Sequence, residues 1–180
     1  MIDRDRSPDR GVLAGTPTGS PSFESFYREH YRSVVRLATS VLGDAHAAQD
    51  VAQEVFLAAH DRFRGDVERA PGWVRVAAVH SALNVVRGER RRERRHRLAT
   101  PATPVAGPED VVVERETRRE VRDALSRLSP RAATLLILRH GGLSYAEIAE
   151  ALGVNVGQVG TRLRRAEIAL AKEMTRGSRK

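Results

Sequence analysis

The stretch S-Y-A-E-I-A-E-A-L-G-V-N-V-G-Q-V-G-T-R-L-R-R-A, Ser144 to Ala166, sets two short helical patterns on either side of a glycine. A helix-turn-helix needs a small residue where its helices cross, a turn residue tolerant of positive φ, and an apolar anchor in the second helix. Ala149, Gly153 and Val159 supply these in order, at spacings of four and six. Ile148 and Leu152 bury the first helix, and Leu163 extends the inward face of the second. Asn155, Gly157, Gln158, Thr161, Arg162 and Arg165 are then left to face outward. Gln and Arg read base edges in a major groove, and Asn, Thr and Arg hold phosphates. Two readings fit: a DNA-binding helix-turn-helix, or a plain helical hairpin with an arginine-rich solvent face.

Charge placement favours the first. The 180-residue chain carries a net +8. Arg87 to Arg97 holds seven arginines against Glu89 and Glu93, a net of +5. Gln158 to Lys180 holds seven basic residues against Glu167 and Glu173, again +5, so the remainder is slightly acidic. Positive charge gathered at two separate places suits a polyanion gripped twice. An anionic membrane surface suits it less, because neither cluster is interleaved with Trp, Phe or Leu anchors.

Composition excludes much else. With no cysteine there is no disulfide, thiolate metal site or cysteine nucleophile, which accords with a reducing compartment. No apolar run approaches the roughly 18 residues of a membrane span, and M-I-D-R-D-R-S-P-D-R-G at the N-terminus has no apolar core for a signal peptide. The reading is a soluble, cytoplasmic protein. Its six histidines sit at no metal-ligand spacing and no carboxylate cluster resembles a two-metal site. No enzyme activity, metal or cofactor is therefore expected.

Aromatics make up only 4% of the chain, which suits small helical cores packed from Ala, Val and Leu. Residues 1–21 are rich in Arg, Asp, Pro, Gly, Ser and Thr and read as a disordered tail. Phe23, Phe26, Tyr27, Tyr31, Val34, Ala38, Val41 and Leu42 follow three/four spacing and predict a first helix. A second runs from about His46 to Phe63 with Val51, Val55, Phe56 and Ala59 inward, and a third from Pro71 through Trp73 and Val86 into the arginine run. These form a first domain, 22–97. L-A-T-P-A-T-P-V-A-G-P-E-D, Leu98 to Asp110, has three prolines and no periodicity, so it reads as a linker. Helices resume over about Val111–Leu128, Pro130–His140, Ser144–Leu152 and Val156–Met174, giving a second domain, 111–174, and a basic tail, 175–180. The expected fold is all-α: two small helical domains joined by a flexible Pro-rich linker, the second a helix-turn-helix domain.

From Leu128 to Leu170 the chain resembles the C-terminal domain of bacterial RNA polymerase sigma factors of the extracytoplasmic-function (ECF) type. L-S-P-R-A-A-T-L-L-I-L-R-H-G-G-L-S-Y-A-E-I-A-E-A-L-G-V and G-Q-V-G-T-R-L-R-R-A carry that likeness. Gln158, Gly160 and Thr161 stand where the family usually has Thr, Lys and Ser. The resemblance implies that the outward residues named above contact a −35 promoter element.

The first domain resembles the same family independently. D-V-A-Q-E-V-F-L-A-A-H-D-R-F-R-G-D, Asp50 to Asp66, is similar to the segment that binds the polymerase core, which implies that role for Asp50, Gln53 and Glu54. From the residues alone these three form an exposed acidic and amide patch, equally readable as a solvated face. W-V-R-V-A-A-V-H-S-A-L-N-V-V-R-G-E-R-R-R, Trp73 to Arg92, is similar to the segment that captures the −10 element. That implies Phe63, Ala77, His80 and Asn84 near a base pocket and Arg87, Arg91 and Arg92 on phosphates, with His80 and Asn84 replacing the usual Asn and Asp. Trp73 reads as core rather than as a base-stacking ring. The implied partners are core RNA polymerase, promoter DNA and an anti-sigma factor, which often controls members of this family. The competing reading is a stand-alone helix-turn-helix regulator, which has no use for D-V-A-Q-E-V-F.

Overall fold

The computed structural model describes residues 22–64, 66–99 and 109–177, and all regular structure among them is helical. The expected tail 1–21, the middle of the expected linker (100–108) and residues 178–180 lie outside the described residues. Seven α-helices follow in order: α1 Phe23–Leu42, α2 Ala45–Arg62, α3 Ala70–Ala99, α4 Glu109–Arg127, α5 Pro130–His140, α6 Tyr145–Leu152 and α7 Val156–Gly177. A single 3₁₀ turn, Val67–Arg69, leads into α3. None of the helices is long and apolar enough to cross a membrane.

Local chemistry sets the ends. The Ser22 side chain accepts from Ser25 N to open α1, and Gly43 closes it at φ 70°, where a side chain would be strained. Asp44 then caps α2, its Oδ1 accepting from His46 N at 2.7 Å and Ala47 N at 3.1 Å. Those two donors hold the Asp44 carboxyl below the usual carboxylate range. Ser129 accepts from Ala132 N ahead of Pro130, the cap followed by first-turn proline that the sequence shows.

Helices α1, α2 and α3 pack round Val34, Leu37, Ala38, Val41, Val51, Val55, Phe56, Val74, Val79 and Leu83. The scarce aromatics concentrate here, with the Phe56 ring 5.6 Å from Phe26 and 4.9 Å edge-on from Tyr27. Helices α4 to α7 enclose Leu125, Leu138, Ile148, Val159 and Leu163. Arg127 ties the end of α4 to α7, its Nε donating to Glu173 Oε2 at 2.9 Å and its Nη2 to Glu173 O at 3.1 Å. Thr134 is fully buried, and its hydroxyl donates to Pro130 O at 2.8 Å, so no polar atom is stranded there.

Helix ends extend further than periodicity indicates. α3 continues through Leu98 and Ala99, α4 opens at Glu109, and α7 runs past Met174 to Gly177, so helix covers both margins of the expected linker and the start of the expected basic tail. The arginine run does not break the helix because Arg is a good helix former. The two groups of helices also pack on each other, α3 lying against α4, α5 and α6. The approach is close: a Cβ placed on Gly72 of α3 would lie 3.4 Å from Ala151 Cβ of α6.

Candidate nucleic-acid interface

Helix α6 opens with a reciprocal cap. Ser144 Oγ accepts from Glu147 N at 3.3 Å, while Glu147 Oε2 accepts from Ser144 N at 2.8 Å. The Ser144 N–H, and then the Ser144 hydroxyl donating to the same Oε2, hold the Glu147 carboxyl below its ordinary range. Gly153 ends α6 at φ 62°, with Gly153 N donating to Glu150 O and Val154 N donating to Ala149 O. This 5→2 and 6→1 pair is a Schellman close, and it turns the chain within Gly153, Val154 and Asn155. Asn155 then caps α7, its Oδ1 accepting from Gly157 N at 2.8 Å. No acidic residue occupies the first turn of α7.

Buried Ala149, Val159 and Leu163 form the crossing, so the small residue, the turn glycine and the apolar anchor fall where their spacing puts them. Asn155, Gly157, Gln158, Thr161, Arg162 and Arg165 are all exposed. Arg162 Nη2 donates to Gln158 Oε1 at 2.8 Å, one helical turn away, which presets the guanidinium beside the amide. Asn155 commits one lone pair of its side-chain oxygen to the cap, and its amide donors face other partners. Arg164 is exposed on the same outward side. Tyr145 was not singled out by the sequence, yet it is 44% exposed and lies beside α7. Arg139 stacks on its ring at 5.4 Å, and the Gly160 Cβ position lies 3.5 Å from its edge. An aromatic residue following a helix cap was the available signal.

In the first half, Ala77, His80, Asn84, Arg87 and Arg91 recur at three/four spacing and make one stripe along α3. Ala77 and His80 line a cavity of about 480 Å³ with Glu54, Trp73 and Ser81. Phe63 sits behind it, its ring edge-on to Trp73 at 5.6 Å. Trp73 is half-buried and supports this wall as well as bordering the opening. Desolvation, and then the Arg87 charge, lower the His80 pKa below the ordinary histidine value. Asn84, Arg91 and Arg92 are exposed, and Asn84 lies outside the cavity lining. Arg87 is not free: its Nε donates to Ser126 O and its Nη2 to Leu128 O, each at 3.2 Å.

On α2, Asp50, Gln53 and Glu54 are exposed above buried Val51, Val55 and Phe56. Leu57 shares their face and is 70% exposed, an apolar centre in a polar patch. The periodicity that turns Asp50, Gln53 and Glu54 outward also turns position 57 outward, and a leucine there was the overlooked signal.

Two basic units, one a helix-turn-helix and the other a helix with an arginine stripe beside an aromatic-walled cavity, carry the concentrated positive charge of a nucleic-acid-binding protein. Residues 26–92 match the family described as Sigma-70 region 2, and residues 118–170 match Sigma-70, region 4. The ECF RNA polymerase sigma factor SigE of Mycolicibacterium smegmatis is 30% identical over 84% of this chain and 61% of its own length. RNA polymerase sigma factor YlaC of Bacillus subtilis is 30% identical over 86% of this chain and 93% of its own. The ECF sigma factor SigM of Mycobacterium tuberculosis is 30% identical over 94% of this chain and 86% of its own. The chain belongs to the sigma-70 family of bacterial RNA polymerase sigma factors, in its extracytoplasmic-function group. It is an alternative sigma factor directing promoter-specific transcription initiation, and sigma factors are initiation factors rather than enzymes.

Proposed function

We propose a division of this activity among three surfaces. The exposed face of α7, with Asn155, Gly157, Gln158, Thr161, Arg162 and Arg165, enters the major groove at a −35 element. The coupled Gln158 and Arg162 reach base edges, and Thr161 and Arg165 hold phosphates. The cavity of Ala77 and His80, backed by Phe63 and Trp73, takes an unstacked base of the −10 strand, and Asn84, Arg87, Arg91 and Arg92 track its backbone. Asp50, Gln53, Glu54 and Leu57 form the polymerase-facing patch, an apolar anchor with a polar rim.

Residues 22–97 and 111–174 act as the two DNA-holding domains. Joined by one chain, two modest contacts reinforce each other through effective concentration. The protein works in the cytoplasm, where polymerase and chromosome are found. The observation that carries this reading is the Gln158–Arg162 pair, held at 2.8 Å on the exposed face of a capped second helix. Run-off transcription from a promoter library, with core polymerase and with or without this chain, tests it. Protein-dependent transcripts sharing −35 and −10 sequences are expected. Duplex binding without any transcript would instead make the chain a stand-alone regulator.

A further inference from the structure

Five arginines converge on one recess between α3 and the end of α4. This cavity of about 300 Å³ is lined by Arg87, Arg90, Arg91 and Arg94 of α3 and by Ser126 and Arg127 of α4. Spacings of three, one and three put the four α3 residues on one face of that helix. Among the described residues, no carboxylate lines the recess.

The contacts that hold these arginines leave most of their charge uncancelled. Arg87 donates to the Ser126 and Leu128 carbonyls. Arg90 Nη1 donates to Asp123 O at 3.2 Å and to Ser126 Oγ at 2.8 Å. Carbonyl and hydroxyl oxygens fix a guanidinium without neutralising it, and its fork carries further N–H donors. Arg127 is ion-paired, but its partner Glu173 is shared with Arg176. Arg91 and Arg94 are exposed. Crowding shows at Arg90: desolvation lowers its pKa, the Asp123 charge opposes this, and the Arg127 and Arg94 charges lower it further. An anion set among these groups relieves that repulsion.

We propose that this recess binds the phosphate chain of a small polyphosphate, supplied either as inorganic polyphosphate or as a nucleoside triphosphate. A guanidinium fork holds one phosphate bidentately, so five forks suit a run of two or three phosphates better than a lone ion. Arg87, Arg90 and Arg127, fixed by their protein contacts, form a pre-organised floor, and Arg91 and Arg94 meet the ligand from the solvent side. A stiff duplex does not bend into a recess of this size. Sites for single strands set aromatic rings beside their cations, and no ring is among the lining residues. Recognition therefore stops at the phosphates. Arg87 and Arg91 also belong to the proposed −10 surface, but Arg90, Arg94 and Arg127 do not, so the recess stands apart from that reading.

Isothermal titration calorimetry on the full chain tests it, without DNA or magnesium and at about 0.15 M salt. Exposed charges more than about 8 Å apart are screened there, so a diffuse basic field contributes little. Tripolyphosphate is expected to bind one-to-one and about tenfold more tightly than inorganic phosphate. Arg94 is exposed, so its removal leaves the fold intact. Arg94→Ala should weaken tripolyphosphate binding about tenfold, and Arg94→Lys should recover little of it, because an ammonium lacks the planar fork. Arg95→Ala removes the same charge from α3 outside the recess and should change binding less than about twofold. Equal weakening by Arg94→Ala and Arg95→Ala, or tripolyphosphate binding no tighter than phosphate, overturns the site. ATP separates the two sources. With no ring to stack on its base, it should bind no more tightly than tripolyphosphate, and tighter ATP binding overturns recognition by phosphates alone.

Discussion

Removing Arg162 gives a prediction whose size follows from counting charges on α7. Three exposed guanidiniums, Arg162, Arg164 and Arg165, cluster in the first half of α7, while the fourth, Arg176, pairs with Glu173 near its end. On non-specific duplex, where no base edge is read, each of the three should meet a phosphate, and at about −0.9 per phosphate in the slope of log K against log salt they contribute about −2.7. Between 50 and 200 mM salt that share alone weakens binding about 40-fold. Arg162→Ala should lower the share to about −1.8, or about 12-fold over the same range. The assay is fluorescence anisotropy of non-specific duplex DNA against salt, which needs no knowledge of the promoter. Arginines elsewhere contribute equally to both proteins, so the difference in slope isolates position 162. Gln158→Ala should leave the slope unchanged, because it frees the guanidinium without removing its charge. A slope identical in wild type, Arg162→Ala and Arg165→Ala would refute the placement of this helix on DNA.

Gly160 has no positive φ to require it, and its Cβ position is in ordinary contact with Tyr145 at 3.5 Å. Gly160→Ala should therefore stabilise the chain by about 1 kcal/mol, raising Tm by about 2–4 °C in calorimetry. Leu57→Asp should change stability by less than about 0.5 kcal/mol, being exposed, while weakening assembly with core polymerase in a gel-filtration titration. Asp44 and Glu147 cap their helices as carboxylates with lowered pKa values. Their contribution is complete above the unfolded values, about 3.9 for Asp and 4.3 for Glu, and is lost as pH falls through the lowered folded values. Asp44→Asn with Glu147→Gln should flatten the acid limb of the stability curve followed by circular dichroism.

The helix-turn-helix was legible in the sequence because each of its requirements is local. Ala149, Gly153 and Val159 are fixed by crossing distance, φ and burial, and each restricts residue type at its own position. The capping box of Ser144 and Glu147 was equally visible as Ser followed three residues later by Glu. The α3 stripe was implied not by periodicity but by the resemblance of Trp73 to Arg92 to the family's segment. Its partner was not, because Arg87 and Arg90 bind mainly backbone carbonyls some 33 to 41 residues away, and a carbonyl is the same in every residue. Packing of α3 against α5 and α6 likewise depends on small residues, Gly72 and Ala151, which carry no distinctive signal. Leu57 was passed over because periodicity was used to find inward residues, and an outward leucine leaves that pattern intact.

The start of α7 shows where thermal robustness and promoter affinity pull apart. α6 carries Glu147 in its first turn, where it complements the positive end of the helix dipole. α7 begins with a neutral Asn155 and no acid in its first turn. Placing Asp at the exposed position 156, in the same first turn, would add about 0.3–1 kcal/mol of helix stability. It would also set a fixed negative charge at the end proposed to meet phosphate. Selection for heat resistance alone would drift toward that substitution and yield a sturdier chain that has lost its promoters.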